Sequence, residues 1–240
     1  KLHIEVTDPE NNKTYSGLEE VWYDVKASGN VVKEVRYPSL VDNSANPVKG
    51  NQSWSGDITI PAAEYNSNDV KVQVHARDFS GNVYDSEIVP LKIDITHPTI
   101  AVTYDLNTPL NERYYKDVRT ATVVVIERNF DESAVRFNIT NTDGTQPAIS
   151  GWTHSANAGV SDDATHTCQV TFAADGDYTF TLETTDLAGN ASSYNRVDDF
   201  TIDRTVPTIQ VSYDNNSAAT PGYFNANRTA TVTVNEHNFN

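Results

Sequence analysis

The chain has 240 residues, of which 38% are hydrophobic, and its 17 basic against 33 acidic side chains give a formal net charge of −16. This excess of acid disfavours nucleic acid and anionic membrane surfaces as partners, since both require basic patches. No run approaches the roughly 18 apolar residues that a membrane-spanning helix needs. The single cysteine, Cys168, excludes an internal disulfide, and its alternating context THTCQVTF predicts a small buried side chain instead of a catalytic thiol.

Alternation of apolar and polar residues, the pattern of a half-buried strand, recurs from the first residues onward. In the first 93 residues it predicts strands over Leu2–Val6, Glu19–Ala27, Val31–Tyr37, Asp57–Ile60 and Val70–Arg77. The last of these runs into a D-x-x-G-N turn at Asp78–Asn82, where the glycine allows a positive φ and the Asp and Asn side chains bond the backbone. The segment is therefore predicted to be all-β.

A segment that occurs twice defines the remaining organisation. Asp94–Phe130 and Asp203–Phe239 are identical at 19 of 37 aligned positions, with an offset of 109 residues. The D-x-x-G-N turn also recurs, at Asp186–Asn190. A repeat of about 100 residues with strand-like content is typical of tandem β-sandwiches. We predict a first unit over 1–93 that lacks its leader strand, a complete second unit over 94–202, and the first two strands of a third over 203–240.

The closing turn D-L-A-G-N at Asp186–Asn190, followed by I-D-R-T-V-P-T at Ile202–Thr208, resembles the turn and junction motifs at the ends of bacterial Ig-like (Big) repeats. The stretch D-G-D-Y ending at Tyr178 is similar to the tyrosine corner of such sandwiches. The resemblance implies tandem immunoglobulin-like domains in an extracellular or cell-wall-anchored protein. Their expected role is a non-catalytic stalk that presents or contributes to adhesion, and their expected partners are neighbouring repeats and a host or environmental glycan or protein.

Three residues are predicted to converge at the end where the chain enters the second unit. These are Asp94 of the junction and Asp186 and Asn190 of the closing turn, with Glu127, Asn129 and Asp131 of the loop after the second strand nearby. Hard oxygen ligands from separate segments are what Ca²⁺ requires, and the resemblance is to adhesins that hold calcium at this place. Backbone turn chemistry alone also favours Asp and Asn here, so both readings stay open. No other cofactor is predicted.

Two further classes of function remain open. Trp22, Trp54 and Trp152 could belong to a carbohydrate- or protein-binding module, with Trp152 the first ring to test for ligand contact, in a polar insert over 138–163. Packing of Trp22 in or near the core is the structural alternative. The chain could also be an accessory region of a secreted glycan-degrading enzyme. It contains no G-x-S-x-G, no P-loop and no H-E-x-x-H, so we do not expect it to be an enzyme itself.

Overall fold

A computed structural model describes residues 1–11, 14–27, 29–37, 41–42, 49–156, 164–214, 217–218 and 220–239. Over these residues the protein is almost entirely β-structure, arranged in several antiparallel sheets. The one helical element among them is a single 3₁₀ turn, Glu132–Ala134. The predicted all-β class is confirmed.

The second unit contains two five-stranded sheets. Its strands are β10 (Thr99–Tyr104), β11 (Tyr114–Tyr115), β12 (Arg119–Glu127), β13 (Arg136–Asn141), β14 (Ala148–Ile149), β15 (Thr153–Ala156), β16 (Ala164–Phe172), β17 (Gly176–Thr185), β18 (Ala191–Ser193) and β19 (Asp198–Ile202). One sheet has the order β10-β12-β16, with β14 and β15 both paired to β16. The other has the order β11-β19-β17-β13, with β18 also paired to β17. All pairs are antiparallel except β11 with β19.

The two sheets of the second unit share one hydrophobic core. Residues of β12 alternate between the core and the outer face, because Ala121, Val123 and Val125 are fully buried while the residues between them face outward. Phe172 of one sheet meets the rings of Phe180 and Phe200 of the other edge-on, at centroid distances of 5.7 and 5.0 Å. Edge-to-face aromatic pairs add to the hydrophobic contribution of burial, so these rings hold the two layers together.

The turn before β17 carries the predicted tyrosine feature. Tyr178 is buried, and its hydroxyl donates to the carbonyl of Ala174, four residues earlier, at 3.0 Å. Gly176 has a φ of +144°, and a Cβ there would meet the Asn141 Oδ1 atom at 2.0 Å. The close approach therefore requires glycine.

The first unit has its own sheets and core. Its strands are β1 (Leu2–Thr7), β2 (Leu18–Ala27), β3 (Asn30–Tyr37), β4 (Val41–Asp42), β5 (Lys49–Gly50), β6 (Ser53–Ile58), β7 (Ser67–Asp78), β8 (Val83–Asp85) and β9 (Val89–Ile93). β1 pairs with β6, β4 pairs with β5, and the main sheet has the order β3-β2-β7-β8 with β9 also on β7. Four of the five predicted strands are present, with β7 longer at both ends than predicted. The strand predicted over Asp57–Ile60 is displaced, since β6 runs over Ser53–Ile58 and shares only its last two residues with that range.

The third segment repeats the first hairpin of the second unit. β20 (Thr208–Tyr213) pairs with β21 (Ala230–Asn235), and Thr208 lies opposite Asn235 as Thr99 lies opposite Ile126. Apolar side chains of this hairpin, such as Ile209 and Val232, are more than half exposed. Its described residues include a contact to the second unit. The Asp203 amide donates to the Tyr115 carbonyl at 2.9 Å.

Candidate metal site

Three carboxylates from separate segments meet at one end of the second unit. Asp94 follows β9, Glu127 is the last residue of β12, and Asp186 follows β17. One ligand oxygen from each lies within 4.8 Å of the others. Glu127 is 1% exposed, Asp186 is 5% exposed, and the Asp94 side chain is 1% exposed. Charged groups that lie so deep require compensating partners.

Asp186 is satisfied by its own turn. Its Oδ1 atom accepts from the amides of Ala188 and Asn190, both at 2.8 Å, and its Oδ2 accepts from Asn190 Nδ2 at 2.8 Å. The same Asn190 side chain also donates to the Asp94 carbonyl at 3.2 Å. The closing turn is thereby tied to the junction, as the sequence predicted for these three residues.

Asp94 is surrounded by donors. Its Oδ1 atom accepts from the Thr96 amide at 2.9 Å and from Arg128 Nη2 at 2.7 Å, while Oδ2 accepts from Asn129 Nδ2. Burial alone would raise the pKa of this carboxyl, but these hydrogen bonds and the guanidinium charge outweigh burial and lower the pKa. Asp94 is therefore held in its ionised form.

Glu127 is the incompletely satisfied member of the cluster. Its Oε1 atom accepts from the Asn129 amide at 2.7 Å, whereas its buried Oε2 atom has no hydrogen-bond partner in the described part of the chain. Burial first, and then the charges of Asp94 and Asp186, raise the pKa of Glu127 despite the opposing backbone hydrogen bonds. An isolated carboxylate oxygen beside two other carboxylates calls for a positive partner, either a proton or a metal ion.

The cluster also contacts the first unit. Arg128 Nη2 donates to Asn66 Oδ1 at 2.6 Å, and Asn68 Nδ2 donates to Asn129 Oδ1 at 2.7 Å. Asn68 Oδ1 is buried and makes no hydrogen bond within the described ranges. The side chains around the cluster thus come from both sides of the junction at Asp94.

Part of this arrangement recurs at the start of the third segment. Asn238 Nδ2 donates to Asp203 Oδ2 at 2.7 Å, and the Asn238 amide donates to Glu236 Oε1 at 3.1 Å. These are the bonds that Asn129 makes to Asp94 and Glu127. Asn238 thus joins Asp203 and Glu236 as Asn129 joins Asp94 and Glu127, and no group of three carboxylates is found among the described residues of this segment.

The corresponding end of the first unit, which carries its closing turn, contains fewer acidic residues. Its closing turn is built like the later one, with the Asn82 amide and side chain donating to Asp78 at 2.8 and 2.7 Å. Asp8, which follows β1 as Glu127 ends β12, accepts from the Gly17 amide at 2.7 Å. Asp8 and Glu127 thus each accept a backbone amide, and among the described residues it is Glu127 whose second oxygen is buried without a partner.

The sequence-predicted set is therefore brought together, with one exception. Asp94, Asp186 and Asn190 converge with Glu127 and Asn129. Asp131 instead accepts from Ser133 as the N-cap of the 3₁₀ turn. Sequence reasoning missed Arg128, because its counterpart in the repeat is His237. It also missed Asn66, which precedes β7, and Asn68, the second residue of β7, because both lie outside every repeated motif.

The donor set suits a hard cation. The three-carboxylate group offers oxygen ligands from three segments, with no nitrogen or sulfur ligand. Ca²⁺ takes six to eight oxygens in flexible geometry and accepts carboxylates in either binding mode. Glu127 Oε2 and the remaining lone pairs of Asp94 and Asp186, together with water, would supply such a shell.

The tryptophans considered as ligand platforms are packed within the protein. Trp152 lies edge-on to Phe130 at 4.9 Å and stacks on Phe137 at 6.5 Å, against the core of the second unit. Trp54 contacts Tyr37 at 4.7 Å, and Trp22 stacks on His75. The predicted insert around Trp152 forms β14 and β15, and its residues 157–163 lie outside the described ranges.

Cys168 is buried as predicted, and burial, assisted by the charge of Glu132, raises its pKa to about 12. A thiol in this environment stays protonated at neutral pH and is a poor nucleophile.

Comparison with known proteins found no protein-family model that matches this chain and no significantly similar curated protein. Among the residues described, no helix has the length and apolar character needed to cross a membrane.

Proposed function

We propose that the chain is a run of immunoglobulin-like β-sandwiches that serves as a non-catalytic stalk in an extracellular bacterial surface protein, with Ca²⁺ stiffening its joints. The two-layer core of the second unit, the tyrosine hydrogen bond at Tyr178 and the repeated hairpin support the immunoglobulin-like assignment. The resemblance to bacterial Ig-like repeats supports the extracellular stalk.

One observation carries the calcium part of the proposal. Glu127 Oε2 is buried beside Asp94 and Asp186 and lacks a hydrogen-bond partner among the residues described. A cation there would neutralise the cluster and link the junction, the loop after β12 and the closing turn. Because Asn68 and Asn66 reach the same place from the first unit, the bound ion would restrict bending between the two units.

The alternatives have less support. A carbohydrate-binding module needs exposed ring faces, whereas the tryptophan rings pack on other side chains. A protein-binding module or an accessory region of a secreted glycan-degrading enzyme is compatible with the same scaffold. The site itself favours neither, since it is compact, buried and made of carboxylates.

Calorimetric titration of the metal-free chain with Ca²⁺ tests the proposal, together with thermal unfolding in Ca²⁺ and in chelator. We expect saturable binding and a higher Tm in Ca²⁺, both lost in Asp186→Asn and retained in Asp78→Asn, the matched change in the first unit. Small-angle scattering should show a narrower range of shapes with Ca²⁺. Absence of binding, or equal binding by Asp186→Asn, would remove calcium from the joint.

A further inference from the structure

A second group of unsatisfied polar atoms lies far from the junction, on the outer face of the main sheet of the first unit. Strand register sets Trp22 of β2 opposite His75 of β7, and His75 opposite Asp85 of β8. Two residues along β2, Asp24 lies opposite Glu34 of β3. One histidine and its neighbouring carboxylates are thus arranged across four adjacent strands.

The hydrogen bond to Asp85 fixes which nitrogen of His75 carries the proton. His75 Nδ1 lies 2.6 Å from Asp85 Oδ1, and a carboxylate only accepts, so Nδ1 is the protonated nitrogen. In the neutral ring, Nε2 then carries a lone pair. It is buried and has no hydrogen-bond partner among the described residues, and the nearest carboxylate oxygen, Asp24 Oδ2, lies 3.5 Å away.

Asp24 has an unsatisfied atom of its own. Asp24 is 9% exposed, and its Oδ1 atom is buried without a hydrogen bond to any residue described. The other oxygen of Asp24, Oδ2, is the one that faces His75 Nε2, so an imidazole nitrogen and a carboxylate oxygen, both acceptors, lie 3.5 Å apart. Such a pair is unfavourable unless a proton or a metal ion lies between the two groups.

The separation matches a metal-bound pair. Zn²⁺ binds imidazole nitrogen and carboxylate oxygen at about 2.0–2.1 Å, which places two ligands of a tetrahedral ion about 3.4 Å apart. The observed distance from Nε2 to Oδ2 is 3.5 Å. Asp85 supplies the outer carboxylate that orients many metal-bound histidines. Trp22 stacks on the imidazole at 5.1 Å with an interplanar angle of 14°, which holds the ring in place.

We propose that His75 Nε2 and the Asp24 carboxylate bind a divalent transition-metal ion, with Zn²⁺ as the best match. Water completes the coordination, since the Glu34 carboxylate, opposite Asp24 on β3, accepts from Arg36 Nε at 2.6 Å. A mixed nitrogen and oxygen donor pair selects such ions over Ca²⁺ and Mg²⁺, which prefer oxygen alone. The site is thus chemically distinct from the all-oxygen cluster around Glu127, and it stands whether or not that cluster binds calcium.

Lys26 is the competing cation on the same face. Its Nζ atom lies 4.0 Å from Asp24 Oδ2 and donates to Gln73 Oε1 at 3.3 Å. It can keep the bond to Gln73 while Asp24 binds the metal, but its charge opposes a second cation nearby. Removal of the Lys26 charge should therefore strengthen metal binding, an effect that a purely structural Asp24–His75 contact would not produce.

The test is calorimetric titration of the full chain with Zn²⁺ in excess Ca²⁺, with Co²⁺ absorption as a spectroscopic probe of tetrahedral coordination. We expect one Zn²⁺ bound with an affinity that falls at least tenfold in His75→Gln and in Asp24→Asn. Asp85→Asn should lower it by about 10- to 100-fold, and Lys26→Gln should raise it. His3→Gln is the control, because exposed His3 also contacts two carboxylates, Asp57 and Glu5.

Two results would overturn the proposal. One is Zn²⁺ binding that is unchanged in His75→Gln, with the variant shown to be folded by circular dichroism. The other is a ¹⁵N NMR spectrum in which His75 is doubly protonated at neutral pH and unaffected by Zn²⁺. That result would mean that a proton, and not a metal ion, lies between His75 Nε2 and the Asp24 carboxylate. If His75→Gln does not fold, the Zn²⁺ affinity of Asp85→Asn tests the proposal in its place. The Asp85 side chain is 58% exposed, so its substitution should leave the fold intact. Asp186→Asn should leave Zn²⁺ binding intact.

Discussion

Replacement of Glu127 by glutamine should change the stability of the second unit in opposite directions with and without calcium. The substitution keeps the shape of the side chain but removes its charge. It also places an amide donor where it can reach the carboxylates of Asp94 and Asp186. In chelator, Glu127→Gln removes a buried acceptor that lacks a partner in the described structure. Leaving such a group unsatisfied costs about 1–3 kcal/mol.

The variant should therefore be the more stable protein without metal, by about 1–2 kcal/mol, which for a domain of this size raises Tm by about 5–10 °C. In saturating calcium, the wild type should instead be more stable than Glu127→Gln. A ligand at 100 times its Kd stabilises the native state by about 2.7 kcal/mol, and the wild type gains this while Glu127→Gln gains little because a charged ligand is missing.

Thermal and denaturant unfolding of both proteins, in chelator and in Ca²⁺, measure the four free energies. Glu183→Gln is the control, since Glu183 lies on an outward position of β17 and should respond to calcium as the wild type does. An equal calcium shift in wild type and Glu127→Gln would refute the reasoning. So would a loss of stability on substitution in chelator, because it would mean that Glu127 is already satisfied.

Four further outcomes are expected. Asn190→Ala should destabilise the second unit by about 1–2 kcal/mol in denaturant unfolding, because one side chain joins Asp186 to the Asp94 carbonyl. Cys168 should resist alkylation by iodoacetamide until the chain unfolds, since the thiol is buried and its pKa is raised to about 12. Trp152→Ala should lower the unfolding free energy by about 2–3 kcal/mol without changing glycan-array binding. Burial opposes ionisation of Asp175, but hydrogen bonds from residues 204 and 205 lower its pKa. The stabilisation that Asp175 provides should be complete above about pH 3.9 and lost as the pH falls through its lowered pKa. The free energies of unfolding of wild type and D175N, measured over a pH series, should therefore become equal at that low pH.

The sequence predicted the parts of this structure that depend on local pattern and on repetition. In the sequence, Glu127 alternates in step with Ala121, Val123 and Val125, which are the buried residues of β12, and it recurs as Glu236. The D-x-x-G-N turn fixed the geometry of Asp186 and Asn190, because the turn satisfies its own backbone. These features need no knowledge of distant neighbours.

Contacts that depend on strand register could not be predicted from the sequence. His75 and Asp24 lie on strands that were predicted, but their approach depends on how β7 aligns with β2, and several registers satisfy the same alternation. His154 and His166 are likewise 12 residues apart in the sequence, yet pairing of β15 with β16 places their Nδ1 atoms 2.7 Å apart. β15 could not be predicted from its polar composition, because backbone pairing to β16 stabilises this strand without an apolar face.

The two junctions use the same acids with different basic partners. At the first, Arg128 donates to Asp94 and to Asn66, so one guanidinium offsets part of the negative charge of the cluster and reaches across to the first unit. At the second, His237 occupies the Arg128 position, and the nearby Arg204 pairs with Asp175.

Asp203 and Glu236 therefore lack the guanidinium that stabilises their counterparts, while the bonds from Asn238 are kept. If calcium binds at the joints as proposed, a joint of the second kind would depend more on the bound cation, because fewer protein charges compensate its acids. A stalk built from both kinds of joint would then have a bending stiffness that varies along its length with calcium concentration.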